Sequence, residues 1–243
     1  MNSFGNSFSM GQFNIQTIMK TNDLTPQIQK HLMNVFGLLS ATVAMAAFGV
    51  WFTIAMGLLG SSQWAGLGCL GLMLYLVFTQ ESPQTRTTRM AVLLAFGFLK
   101  GMTISGLVYV ALDVDPSIVI TAFLGTVAIF VCFSGAALVA KRRSYFYLAG
   151  ILSSATSLLL LTSIAGMFFF SNLAFAMNLY VGLLVFCGYV VLDTQMLVEK
   201  AAYGQCDIVK DALNLFVDFV AIFVRILIIL LKNSEKKDKK RRN

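Results

Sequence analysis

The run ALNLFVDFVAIFVRILIILL, residues 212–231, decides how this chain folds. A helix of that length rises about 30 Å, the thickness of a bilayer's hydrocarbon core. The run is apolar apart from Asn214, Asp218 and Arg225. An ionised carboxylate at such depth costs roughly 2.5–3.5 kcal/mol on insertion scales, so Asp218 must be neutral, paired or facing a water-filled path. The preceding apolar run, YVGLLVFCGYVVLD, residues 180–193, ends on a second such residue, Asp193. Each option for these aspartates points to protons or ions.

Six further stretches have this character: 34–58, 64–79 (short), 90–112, 117–140, 145–165 and 174–192. The predicted fold is therefore all-α, a bundle of seven transmembrane helices in one membrane domain, residues 34–231. An N-terminal segment, residues 1–33, precedes it and a basic tail, residues 232–243, follows. Within the first, Thr25-Pro26 predicts a helix start, with Thr as N-cap and Pro at the first helical position. That helix, to about Met33, is expected to lie at the membrane interface and to run into the first span. Residues 1–23 hold no secretory apolar core, so the first apolar helix is expected to act as its own insertion signal. The boundary between the fifth and sixth stretches, Gly166–Asn172, is itself apolar and weakly marked.

Composition agrees. The 243 residues are 58% hydrophobic and 12% charged, half the charge of an ordinary soluble domain. Mean hydropathy is +0.79. The net charge of +7 does not indicate nucleic acid. Lys232, Lys236, Lys237, Lys239, Lys240, Arg241 and Arg242, opposed by Glu235 and Asp238, place +5 of it in the tail. Such charge beside a membrane helix suits anionic lipid headgroups. The four cysteines, Cys69, Cys132, Cys187 and Cys206, form no paired motif, so they are read as packing thiols without a disulfide or zinc role. Gly97, Gly101 and Ser105 in the third stretch, like Gly66, Gly68 and Gly71 in the second, allow close helix packing.

Lys20, Lys30, Arg86, Arg89 and Lys141-Arg-Arg143 all fall on one side of a seven-span topology, and this predicts a cytoplasmic N-terminus. Seven crossings then place the basic tail on the far side, against the charge rule. Either the last segment is re-entrant or packing overrides the rule.

The midpoint of Asp193 and Asp218 falls in Tyr203-Gly204-Gln205-Cys206, where glycine favours a turn. A helical hairpin closing there brings the two aspartates opposite each other. Asp218 lies seven residues beyond Asp211 and Asp193 six before Glu199, so both sit roughly 9–10 Å inside the charged boundary. On the last helix Asp211, Asn214, Asp218 and Arg225 share about a 60° arc, a polar stripe expected to face the bundle interior. Asp218 and Arg225 are too far apart for a helical pair. Two facing carboxyls share a proton and titrate as a unit, and their oxygens suit transient Ca²⁺. The alternative is an interhelical hydrogen bond from a permanently protonated Asp. Lys100, midway along the third span, either pairs with an aspartate or snorkels.

An enzyme is not expected. His31 is the sole histidine, read as an interfacial surface residue, so a multi-histidine metal site is excluded. Neither aspartate carries the Gly-x-Gly-Asp of an intramembrane aspartyl protease. The last segment lacks a lysine for a retinal Schiff base, and the loops are too short for a receptor site.

The chain resembles the Bax-inhibitor (transmembrane Bax-inhibitor-motif) family over nearly its whole length. The segments are Asp115-Pro-Ser-Ile118, Thr121-Ala-Phe-Leu-Gly-Thr126, Phe133-Ser134 with Lys141-Arg-Arg-Ser-Tyr145, Asn178-Leu-Tyr-Val-Gly182, Leu192-Asp-Thr-Gln195 and Leu215-Phe-Val-Asp-Phe219. The resemblance implies a bundle with the last helix near its centre. It implies a pH-dependent Ca²⁺ leak in the endoplasmic reticulum membrane, Ca²⁺ being the transported ion with no cofactor, and suppression of stress-induced cell death. It maps a two-aspartate pH sensor onto Asp193 and Asp218 and makes cell-death regulators of the Bcl-2 class candidate partners. A non-conducting scaffold regulating apoptosis through partners fits it equally. Bacterial relatives carry an arginine latch at the end of the second helix. Here that end reads Val77-Phe-Thr-Gln80, which leaves Arg86 or Arg89 as substitutes.

Overall fold

The computed structural model describes residues 26–139, 145–169 and 172–242. Thr25, residues 1–25 and Lys141–Arg143 lie outside them. The described residues form seven α-helices and one short 3₁₀ turn, Leu59–Ser61. The helices are α1 (Pro26–Ala55), α2 (Ser62–Phe78), α3 (Arg86–Val114), α4 (Pro116–Val139), α5 (Tyr145–Phe169), α6 (Asn172–Ala202) and α7 (Ile208–Arg242). Six are long and apolar enough to cross a membrane; α2 is the short one. The chain is a multi-pass helical membrane protein.

Local chemistry sets the helix ends. Pro116 opens α4, and the Asp115 carboxylate accepts the Ser117 N–H at 2.8 Å, an N-cap followed by proline at the first helical position. Backbone hydrogen bonding holds that exposed Asp115 carboxyl below its usual range. Asp207 caps α7, accepting the Lys210 N–H at 3.0 Å. Gly57 (φ 67°) and Gly204 (φ 75°) close α1 and α6. The Leu58 N–H reaches Thr53 O and the Gln205 N–H reaches Lys200 O. This six-to-one bond needs a left-handed residue, which glycine adopts without a Cβ clash.

The helix that opens at Pro26 runs without a break into the first span, and its Ile28, His31 and Leu32 are buried. α7 likewise continues through the basic tail to Arg242. Of the two alternatives for the last segment, an unbroken helix favours a crossing, since a re-entrant segment needs a break.

α7 occupies the centre. Ala212, Leu215, Phe216, Ile222 and Leu227 are fully enclosed, and α7 packs against α1, α3, α4 and α6. α5 packs chiefly on α6, and α2 on α3. The helices alternate in direction. The starts of α1, α3 and α7 meet at one end, joined by His31–Asp211 and Arg89–Asp207. At the other, Ala111, Ile118, Leu227 and Leu231 cluster, and Lys232 lies over the Phe175 ring at 4.2 Å.

Candidate functional site: carboxylates on the α6–α7 hairpin

The hairpin turns at residues 203–207, around Gly204. With its arms held antiparallel, Asp193 of α6 and Asp218 of α7 come within hydrogen-bonding reach of one another. Asp218 is buried at 5% exposure, and its Oδ2 has no hydrogen-bond partner among the described residues. Asp193 is half-buried. An ionised carboxylate can only accept, so this contact requires a proton between them. Beside it the Ser134 and Thr194 hydroxyls bond at 3.1 Å, both buried, and fix α4 against α6.

Two ionic stations lie between this pair and the hairpin turn. At the nearer, Asp211 Oδ2 meets His31 Nε2 at 3.1 Å and Oδ1 accepts from Lys200 Nζ at 3.3 Å. His31 and Asp211 are each 4% exposed. At the outer, the Arg89 guanidinium grips Asp207 with two bonds, 3.1 and 2.9 Å, and Lys210 Nζ stands 4.0 Å away. Burial raises the Asp207 carboxyl, but the Arg89 bonds, the Lys210 N–H and both cations outweigh it and hold it below its usual range. Neighbouring Glu81 moves the opposite way, raised by burial and then by the Asp207 charge. Asp207, Asp211 and Asp218 lie four and seven residues apart, on one face of α7.

The expected site residues separate accordingly. Asp193 and Asp218 come together. Asn214 is exposed, so it does not join an interior stripe; its face turns outward between two enclosed positions, Leu213 and Leu215. Arg225 has no carboxylate partner among the described residues. Its guanidinium sits 4.4 Å from the Phe186 ring centre, donates to Ala221 O at 3.1 Å, and packs on Gly182. Lys100 is half-buried near Cys69 and forms no ion pair among the described residues. Neither arginine substitutes for a latch on the aspartate pair: Arg86 is exposed, and Arg89 is committed to Asp207. His31 is no surface residue, because α1 turns it inward onto Asp211. Sequence reasoning missed the pairing roles of His31, Lys200 and Asp207. Only the capping position of Asp207 before an apolar helix left a local signal.

A helical bundle with a buried and a half-buried carboxyl in contact on its central hairpin defines a class: polytopic helical membrane proteins with an acidic pair between two apolar helices. The chain belongs to the Bax-inhibitor family. Residues 28–235 match the family described as "Inhibitor of apoptosis-promoting Bax1". It is 39% identical to Bax inhibitor 1 of Mus musculus over 231 residues, covering 95% of this chain and 98% of that protein. It is 39% identical to Bax inhibitor 1 of Homo sapiens with the same coverage. Against Bax inhibitor 1 of Arabidopsis thaliana it is 44% identical over 216 residues, 88% of this chain and 86% of the relative.

Proposed function

We propose that this chain is a pH-dependent Ca²⁺ leak channel of the endoplasmic reticulum membrane that lowers stored Ca²⁺ and suppresses stress-induced cell death. The contact between Asp193 and Asp218 carries the reading. While the two share a proton they tie α6 to α7. When both ionise they repel, the tie is lost, and two anionic carboxylates stand free on the central hairpin. Ca²⁺ takes six to eight oxygens, so two carboxylates with water hold it in passage and do not cage it. No residue is assigned a catalytic role. The relatives' names support the cell-death part, since they describe inhibition of Bax.

Those same names speak of Bax and not of an ion, which favours a second reading: a non-conducting scaffold acting through regulators of the Bcl-2 class. In either case the basic end of α7 draws on anionic headgroups. Reconstitution into Ca²⁺-loaded liposomes separates the two. The leak reading expects flux whose pH dependence disappears in Asp218→Asn. Folded protein that passes no Ca²⁺ at any pH leaves the scaffold.

A further inference from the structure

α1 and α4 touch at one end, where the Phe36 and Phe130 rings meet edge-on with centres 6.4 Å apart, and a gap opens between them beyond it. Between them runs a crevice floored by α7, in two adjoining chambers of about 560 and 510 Å³. Val43, Ala47, Phe123 and Phe219 line both. On α1 the crevice extends from Phe36 to Ile54, about 27 Å of helix, nearly the depth of the hydrocarbon core.

We propose that this crevice is a lipid-binding site that takes the acyl chains of bilayer phospholipids, entering sideways between α1 and α4. Water is a poor occupant. A buried water needs two to four polar partners. The first chamber offers only the Ser40 and Ser134 hydroxyls, already bonded to Phe36 O and Thr194. The second offers no polar side chain beyond the Trp51 indole. A second helix lying over the crevice is the rival occupant, and it would shield these positions from lipid. α1 and α4 are both apolar spans set in a solvent of acyl chains, and Ala44, Ala47 and Val131 are exposed along the opening, so a thin apolar chain reaches it from the bilayer with no partner protein. The floor is shaped for it: Phe123 and Phe130 meet Phe219 edge-on, with ring centres 6.1 and 5.7 Å apart, leaving an aromatic bed. The proposal stands independently of the leak reading.

The test uses the full chain in phosphatidylcholine vesicles doped with a phospholipid carrying a diazirine at its acyl terminus, with labelled residues mapped after irradiation. Label is expected to concentrate on Ala44, Ala47, Val131 and Gly135, above the outward face of α5 (Ile151, Leu158, Leu161), where lipid contact is only annular. Ala47→Trp fills the junction of the chambers and should abolish most crevice label while leaving α5 label unchanged. Should that variant not fold, Gly135→Leu serves, because a Cβ at Gly135 meets nothing within 4 Å. Equal label on the crevice and α5, crevice label unaltered by filling, or an unlabelled crevice each overturns the proposal.

Discussion

At the Asp207 carboxyl, burial and pairing act in opposite directions, and pairing wins. Its partner Arg89 is 0% exposed, while Asp207 is 24% exposed. Asp207→Asn keeps a side chain able to cap α7 but strips the anion from an enclosed cation. The expected cost is about 2–3 kcal/mol, below a fully enclosed pair because water still reaches Asp207. The folded carboxyl titrates below its ordinary 3.8. Its contribution is therefore complete above about pH 4 and is lost as pH falls through the depressed folded value. Thermal unfolding in detergent should show wild type above Asp207→Asn by a constant margin from pH 7 to 5, shrinking in stronger acid. A margin that vanishes already at pH 6 refutes this account. The pairing was illegible in sequence for a plain reason. Arg89 and Asp207 are 118 residues apart, and His31 and Asp211 are 180. Asp193 and Asp218 were legible, because one hairpin with a glycine turn fixes their register.

Among the elements, α1 and α3 approach most closely. A Cβ at Gly101 would stand 2.0 Å from Ala46 O, and one at Gly97 would stand 2.7 Å from Thr42 O. Both clashes involve backbone, which cannot rotate away. Gly101→Ala is expected to cost at least 1–3 kcal/mol through overpacking. Gly106→Ala, on the same helix with nothing within 4 Å, should be neutral or slightly stabilising through helix propensity. Unfolding midpoints of the two variants check this; equal midpoints would show that the α1–α3 contact yields. The small residues of this helix were visible in sequence, as were all seven apolar stretches. The helix ends were less so. At the hairpin, α6 and α7 outrun their apolar cores because the added turns carry the ions that pair there, and α1 begins early because His31 is satisfied inside. Asn214 misled, since helical periodicity gives an arc but not which neighbour covers it.

For the whole molecule, the direction of α7 puts its basic end at the opposite end of the bundle from its start. Its start meets His31 of α1, and Lys232 meets Phe175 at the start of α6, so the helix traverses the bundle. Its 35 residues reach about 52 Å, well beyond the hydrocarbon core. By the charge rule the end holding Lys30, Arg86, Arg89, Lys200 and Lys210 is expected to face the cytoplasm, and an unbroken α7 would then place the tail on the opposite side despite its charge. Native Cys206 is exposed at the hairpin turn and reports that side. Asn233→Cys, also exposed, reports the other. Cys69 and Cys187 are buried, and Cys132 sits on a membrane span. In sealed microsomes with the cytoplasmic face outward, a membrane-impermeant maleimide should modify Cys206 at once and position 233 only after permeabilisation. Labelling of both without permeabilisation would mean that α7 returns to the side on which it starts, which an unbroken helix of this length does not permit.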